Sequence, residues 1–445
     1  MTDLLLRGGR VIDPASHLDA TADVLVSRGR VVSIETAPLP PSAIGDARVL
    51  EAEGCLVVPG LIDGHVHLRE PGNERAETIA TGTAAAVAGG FTTVCCMPNT
   101  TPALDTAALV HFIRLRAQET GRCRVFPIAA ATEARAGERL SPMHAMAAAG
   151  AVGFSDDGSV VAEAAMMRRV LATCASIGLP FLQHCQELTL TAGASMHEGE
   201  VSARLGLIGW PREAEELIVE RDLRLNRAIG ARYHAQHLSA AGSVEALREA
   251  RRRGEPVTGE VSPHHLLLTD AACAGYDTHA KMNPPLREES DRRALIEAVA
   301  EGVVTILGTD HAPHTAESKE VDFAAASFGV VGLEGAVPLY AEALVESGAI
   351  DWPRLVAMMT LEPARLHGID RLGLGRLAEG GPADITVIDP QRRWVIDPQR
   401  FETLGRNSPF AGRRVIGKPV LTIVDGEIRF DELACRNAPV APSAT

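Results

Sequence analysis

The sequence predicts a TIM-type (β/α)8 barrel with a small β-sandwich built from both chain ends, and three observations carry that prediction. Between residues 58 and 365, eight short apolar runs alternate with stretches rich in Ala, Leu and Arg. Nearly every run ends, on its C-terminal side, in a residue able to hold a metal or an anion, and barrel enzymes keep their chemistry on that rim. A texture of short strands and turns fills residues 3–57 and returns near the C-terminus. A doubly wound open sheet is the structural alternative, and the polar residues at the run ends favour the barrel.

Each element follows from its local pattern. The N-terminal strands are Leu4-Leu5-Leu6, Gly8-Gly9-Arg10-Val11-Ile12-Asp13-Pro14, residues 23–26 and residues 30–34, with no helical period between them. The barrel runs are 56–62, 92–97, 125–129, 152–155, 180–184, 233–238, 257–261 and 303–308. The C-terminal strands are Ala383-Asp384-Ile385-Thr386-Val387-Ile388-Asp389-Pro390, Trp394-Val395-Ile396 and residues 420–428. Unpaired strands need partners and chain termini tend to lie close together, so both ends are expected in one sandwich. The domains are then 1–57 and 366–445 for the two parts of the sandwich, the second with a tail, and 58–365 for the barrel.

Composition narrows the partner. The 445 residues carry 43 basic against 57 acidic side chains, a net charge of −14, and no long basic run that would mark a nucleic-acid footprint. No apolar stretch reaches a membrane-spanning length without a charge, and the N-terminus mixes Leu4-Leu5-Leu6 with Arg7 and Arg10 rather than forming a leader. A cytoplasmic protein with a small-molecule partner is expected. The eight cysteines show no CxxC spacing, so they read as core residues rather than a disulfide framework or zinc ribbon. Cys95 and Cys96 belong to strand packing, and alternation turns Cys185 away from the face that His184 presents.

The run ends supply His65 and His67, Asn99, Asp156 and Asp157, His184, His237 and Asp310. On a strand, residues i and i+2 share a face, so His65 and His67 aim at one point. Each of the others alone reads as a turn, a cap or a satisfied core histidine. Together, four histidines and two aspartates at the ends of barrel strands converge on one pocket. They exceed the needs of one tetrahedral zinc, which points to two metals or to one metal beside a reactive carboxylate. Donors of this kind without thiolates suit zinc, with manganese or cobalt as substitutes. A divalent metal lowers the pKa of its water toward about 7 and polarises a carbonyl, which is the chemistry of amide or ester hydrolysis.

These residues sit in longer stretches: Pro59-Gly60-Leu61-Ile62-Asp63-Gly64-His65-Val66-His67-Leu68-Arg69-Glu70-Pro71-Gly72, Met97-Pro98-Asn99-Thr100, Phe154-Ser155-Asp156-Asp157-Gly158, Glu260-Val261-Ser262-Pro263-His264-His265, Lys281-Met282-Asn283-Pro284-Pro285-Leu286-Arg287 and Gly308-Thr309-Asp310-His311-Ala312-Pro313-His314. In them the chain resembles the cyclic-amidohydrolase branch of the amidohydrolase superfamily, and within it the class I dihydroorotases, over nearly its whole length. The resemblance implies that His65, His67 and Asp310 hold the more buried metal, that His184 and His237 hold the second, and that Asp157 bridges them. Two zinc ions per chain, or one, are implied. Hydantoinases, dihydropyrimidinases and some dihydroorotases use a carbamylated lysine as the bridge, and no lysine lies near Asp157 in the sequence.

The implied reaction is reversible hydrolysis of the cyclic amide of (S)-dihydroorotate to N-carbamoyl-L-aspartate, in pyrimidine (UMP) biosynthesis, with Asp310 as the proton shuttle. This substrate carries a carboxylate, and Arg69, two residues beyond His67, is expected on the same strand face with a planar fork to receive it. The resemblance adds Asn99 and His314 to that clamp. It also places the residues 67–69, including Leu68, at the substrate, with Asn283 and the backbone of Phe328 and Gly329 on the ring's other polar edges. Residues 315–329 are expected to form a lid. His234, His264, His265 and His311 are left to core or supporting hydrogen bonds.

The implied partners are the small-molecule substrate, further copies of the chain, and aspartate transcarbamoylase. Two other readings stand beside this one. One is another cyclic amidohydrolase, such as an allantoinase or hydantoinase; the other is a non-catalytic dihydroorotase-like subunit that scaffolds the transcarbamoylase. A metal-storage module would leave Arg69, Asn99 and Asn283 without a purpose.

Overall fold

The structure is a computed structural model that describes residues 2–435. Eight parallel strands form the barrel: β6 (Leu61–Val66), β7 (Phe91–Cys96), β8 (Arg124–Ala129), β9 (Gly153–Phe154), β10 (Phe181–Gln183), β13 (Tyr233–Ala235), β14 (Val257–Val261) and β15 (Ile306–Leu307). They pair in sequence order from β6 round to β15. The ring closes where His67 donates its backbone N–H to the His311 carbonyl at 2.8 Å, beside a parallel bridge between Val66 and His311. A small parallel pair, β11 (Met196–His197) and β12 (Gly209–Trp210), lies in the excursion after β10.

Helices cover the barrel, among them Ile79–Ala88, Ala107–Thr120, Ala164–Ile177, Glu213–Asn226, Ala241–Arg252 and Glu289–Ala300. Strand alternation sorts the side chains into two cores. Phe91, Phe154, Phe181 and Tyr233 pack outward against the helices. Ile62, Cys95, Ile128, Leu182 and Ile306 fill the barrel interior, which Leu366, Ile369 and Leu374 stop at its base. Cys95 thus faces in and Cys96 faces out, both as core residues.

Both chain ends build a second body, as the strand texture requires. It takes the form of one continuous eight-stranded sheet rather than two separate ones. The path runs β18 (Glu427–Asp431), β17 (Arg414–Val424), β16 (Ile385–Val395), β5 (Leu56–Pro59), β1 (Leu4–Asp13), β2 (Leu18–Ser27), β3 (Arg30–Glu35), with β4 (Arg48–Glu51) also on β1. The sheet curls over a core of its own that includes Leu6, Val24, Val57, Ile385 and Leu421, and Arg48 of β4 meets Asp431 of β18 at 3.2 Å. A single helical turn, Pro41–Ile44, interrupts the N-terminal strands. The end of the tail, residues 436–445, lies outside the described residues.

One predicted run divides. Residues 56–62 split at Gly60 into β5 of the sheet and β6 of the barrel, so the sheet extends to Pro59. A Cβ at Gly60 would fall 2.1 Å from the Thr92 hydroxyl, so only glycine lets the chain cross between the two bodies there. Among the described residues, no helix is long and apolar enough to cross a membrane.

Candidate metal centre and its rim

The barrel's C-terminal mouth gathers all six predicted ligands. Asp157, beyond β9, is central: its Oδ1 lies 3.5 Å from His65 Nε2, 3.6 Å from His184 Nδ1 and 3.7 Å from His237 Nε2, and its Oδ2 lies 3.5 Å from His67 Nε2. Asp310 Oδ1 stands 3.1 Å from His67 Nε2 and 3.5 Å from His65 Nε2. Two groups have their ligand atoms within 4.8 Å of one another: His65, His67 and Asp310; and His65, Asp157 and His237. His184 falls outside both groups but brings Nδ1 to 2.8 Å from His237 Nε2. All six candidate ligands are buried; five lie just past strand ends and His65 lies on β6 itself.

The site contains an observation that calls for a cation. His65 Nε2 and Asp157 Oδ1 are buried yet lack any hydrogen-bond partner, an arrangement that is costly unless a ligand satisfies it. The donors are imidazoles and carboxylates without thiolates, which suits zinc and similar divalent ions. The protein also arranges the tautomers. Glu260, on β14, can only accept, so His65 donates from Nδ1 at 2.5 Å and turns Nε2 toward the aspartates. His67 Nδ1 donates to Asn99 Oδ1 at 2.8 Å, and His184 Nε2 donates to Gln186 Oε1 at 3.0 Å.

The charges follow from this crowding. Burial favours the neutral acid at Asp310, but close contact with His67 and the neighbouring imidazoles outweighs it and holds the carboxyl well below its ordinary range. Burial likewise works against ionised His65, and the charges of Glu260 and Asp157 overcome it and raise its pKa well above the ordinary value. Burial dominates at His67, whose pKa is lowered.

Arg69 reaches the site by a different route from the one expected. β6 ends at Val66, and Arg69 has φ +58°, so a left-handed turn, not strand alternation, aims its side chain. Its Nε donates to the Pro313 carbonyl at 3.2 Å and one terminal nitrogen lies 3.4 Å from His314 Nε2. The neighbouring acid Glu70 is engaged elsewhere, with Arg116 and with the Ile79 amide. Burial lowers the Arg69 pKa to about 10, against the pull of Asp310 and Asp157.

The other predicted substrate residues are placed unequally. Leu68 turns its side chain into the core. Asn99 spends its side-chain oxygen on His67. Asn283 donates to Gln186 Oε1 at 3.3 Å and leaves Oδ1 buried and unpartnered. The Phe328 carbonyl accepts from His314 Nε2 at 2.7 Å, and Gly329 donates its amide to Lys281 O at 3.0 Å and accepts from Asn407 Nδ2 at 3.0 Å. The expected lid, 315–329, carries the short helix Ala316–Lys319 and anchors through buried Lys319, Phe323 and Ala326, with exposed residues between these anchors.

Of the four unassigned histidines, three make hydrogen bonds within the chain, whereas His264 is buried with its Nε2 lacking a partner. His234 pairs with Thr258 and Glu260, His311 with Glu77 and the Gly332 amide, and His265 with Pro284 O. Sequence reasoning missed Glu260, which also receives the His237 amide, and Asp63, which binds the His65 amide and Thr309. Each is an acid inside an apolar strand, and a buried carboxylate demands partners. Gly308 leaves the room that Glu260 occupies, since a Cβ there would stand 2.7 Å from Glu260 Oε2.

Residues 54–243 match the dihydro-orotase-like family. Over 97% of its length the chain is 48% identical to all of a dihydroorotase of Pelotomaculum thermopropionicum, and 47% identical to 99% of one from Anaeromyxobacter dehalogenans. The L-hydantoinase of Arthrobacter aurescens superposes with a TM-score of 0.86 over 97% of both chains at 26% identity. A dihydropyrimidinase from Brevibacillus agri shares the fold, with a TM-score of 0.83 at 22% identity over 97% of this chain and 96% of that one. Fold, rim and relatives define an enzyme of the cyclic-amidohydrolase class. Within that class, the chain belongs to the dihydroorotase family.

Proposed function

We propose that this enzyme opens and closes the ring of (S)-dihydroorotate, interconverting it with N-carbamoyl-L-aspartate in pyrimidine synthesis. The observation that carries the reading is Arg69: a partly buried guanidinium beside the His67–Asp310 pair whose hydrogen-bond partners include no carboxylate. A ring bearing a carboxylate supplies the missing anion. Hydantoin and dihydropyrimidine rings do not, and would leave that charge unpaired. The close relatives named dihydroorotase point the same way.

His65, His67 and Asp310 would hold one divalent ion and His184 and His237 a second, with Asp157 between them; zinc is the metal their chemistry fits best. Such an ion, when bound, supplies Lewis acidity, bringing a water's pKa toward about 7 and polarising the amide carbonyl. Arg69 and His314 orient the substrate carboxylate. Asp310, ionised in its surroundings, accepts the proton of the attacking water and returns it to the departing ring nitrogen as the carbon–nitrogen bond breaks. In ring closure the same carboxylate takes the proton from the ureido nitrogen. The presence of all six ligand residues in one cluster argues against a non-catalytic scaffold. Buried Lys281 and Lys319 bond to loop carbonyls rather than to the cluster, which argues against a carbamylated-lysine centre.

Metal analysis and a ring-opening assay on the same purified sample test the reading. Bound divalent metal with turnover of dihydroorotate, and far slower turnover of hydantoin and dihydrouracil, is expected. Preference for a ring without a carboxylate would overturn it.

A further inference from the structure

Two lysines away from the ligand cluster are as buried as the core: Lys281 and Lys319 are each 2% exposed. Lysine is rarely buried without an acid, and here the donors go to backbone carbonyls. Lys319 Nζ bonds to Ser327 O at 2.7 Å and Lys281 O at 3.2 Å. Lys281 Nζ bonds to Phe323 O at 2.8 Å and Ala324 O at 2.9 Å, and stands 4.4 Å from the centre of the Phe328 ring. The same Lys281 carbonyl receives the Gly329 amide. Methionine would fill this space without the cost of desolvating an ammonium, so packing alone does not account for either lysine. Burial pulls Lys319 down to about 7 and Lys281 down to about 8.

The chain of contacts continues to the rim. Phe328 O accepts from His314, and His314 lies against Arg69. We infer that Lys281 and Lys319 are positioning residues that lock the 315–329 segment and thereby set the His314–Arg69 pair that receives the substrate's anionic group. That this group is the carboxylate of dihydroorotate rests on the reading above.

The test is Lys319→Met and Lys281→Met in the full chain. In either variant KM for dihydroorotate should rise about tenfold or more while kcat stays within about threefold, as expected when orientation of the ground state is lost. Bound metal should be unchanged, and amide hydrogen exchange across residues 323–331 should accelerate. A lower melting temperature with KM unmoved would show a merely structural role and overturn the inference. Exchange in the wild-type protein needs neither substrate nor a foldable variant: the Gly329 amide should be strongly protected, and exchange as fast as in exposed loops would refute the clamp. Failure of the functional reading is seen separately, as absence of wild-type turnover.

Discussion

Replacing Arg69 by methionine removes the charge and the fork while keeping a flexible stem of similar length. A hydrogen bond to a charged group contributes about 1.5–3 kcal/mol. A two-pronged contact to a carboxylate is not fully additive, so its loss should cost about 3–4 kcal/mol, or roughly 10²–10³ in kcat/KM. The fold should not suffer. The Arg69 pKa is lowered to about 10, so the charged form is worse off in the folded chain than in the unfolded one. Removing it relieves that penalty and leaves only the Pro313 carbonyl without its donor. The assay is steady-state kinetics in both directions, with metal content and melting temperature measured on the same sample. A competitor ring lacking the carboxylate should inhibit variant and wild type equally. A kcat/KM within threefold of wild type would refute the assignment; loss of metal would show that Arg69 supports the ligand cluster instead.

Asp310→Asn should lower turnover by about 10²–10⁴, the usual worth of a positioned acid–base group, with product affinity little changed; wild-type-like turnover would exclude Asp310 as the shuttle. Glu260→Gln should weaken metal binding about 10–100-fold, because an amide no longer dictates the His65 tautomer, and competition with a chromophoric chelator reads that affinity. Unchanged affinity would show that His65 is oriented without Glu260. Glu334 offers a pH test: burial raises its pKa to about 7 although it accepts the Glu402 and Thr403 amides. A carboxyl that holds its proton more tightly when folded favours the folded state at low pH. That contribution fades as pH rises from the ordinary value toward 7, by up to about 3 kcal/mol. Urea unfolding of wild type and Glu334→Gln near pH 5 and pH 8 should therefore give a steeper pH dependence for wild type, and parallel curves would contradict the shift.

The barrel was legible because each strand is a short apolar run between helices, and the observed strands fall within a few residues of those runs. The candidate ligands were legible for a related reason: a polar residue capping an apolar strand needs an explanation, and the six such caps meet in one cluster. What escaped did so for physical causes. Residues 56–62 look like one strand because both bodies bury apolar side chains, and only Gly60, pressed against Thr92, marks the crossing. The segment 315–329 reads as a lid from its length and its position beside the site, and sequence alone does not show that Lys319 within it is buried.

Periodicity also fails wherever the chain leaves its strand, and that is where the chemistry sits. Arg69, His237 and Asp310 all have positive φ, at +58°, +29° and +49°. None is glycine, and left-handed backbone at such residues costs about 1–3 kcal/mol each. All three lie just past a strand end, where the ladder no longer dictates direction and a turn can swing a side chain across the mouth. Asp310 is further held by its contact with His67, and the His237 amide by Glu260. The carboxylates and imidazoles of the site therefore stabilise the backbone that aims them. It follows that Glu260→Gln should loosen His237 as well as His65, a coupling that strand alternation alone does not anticipate.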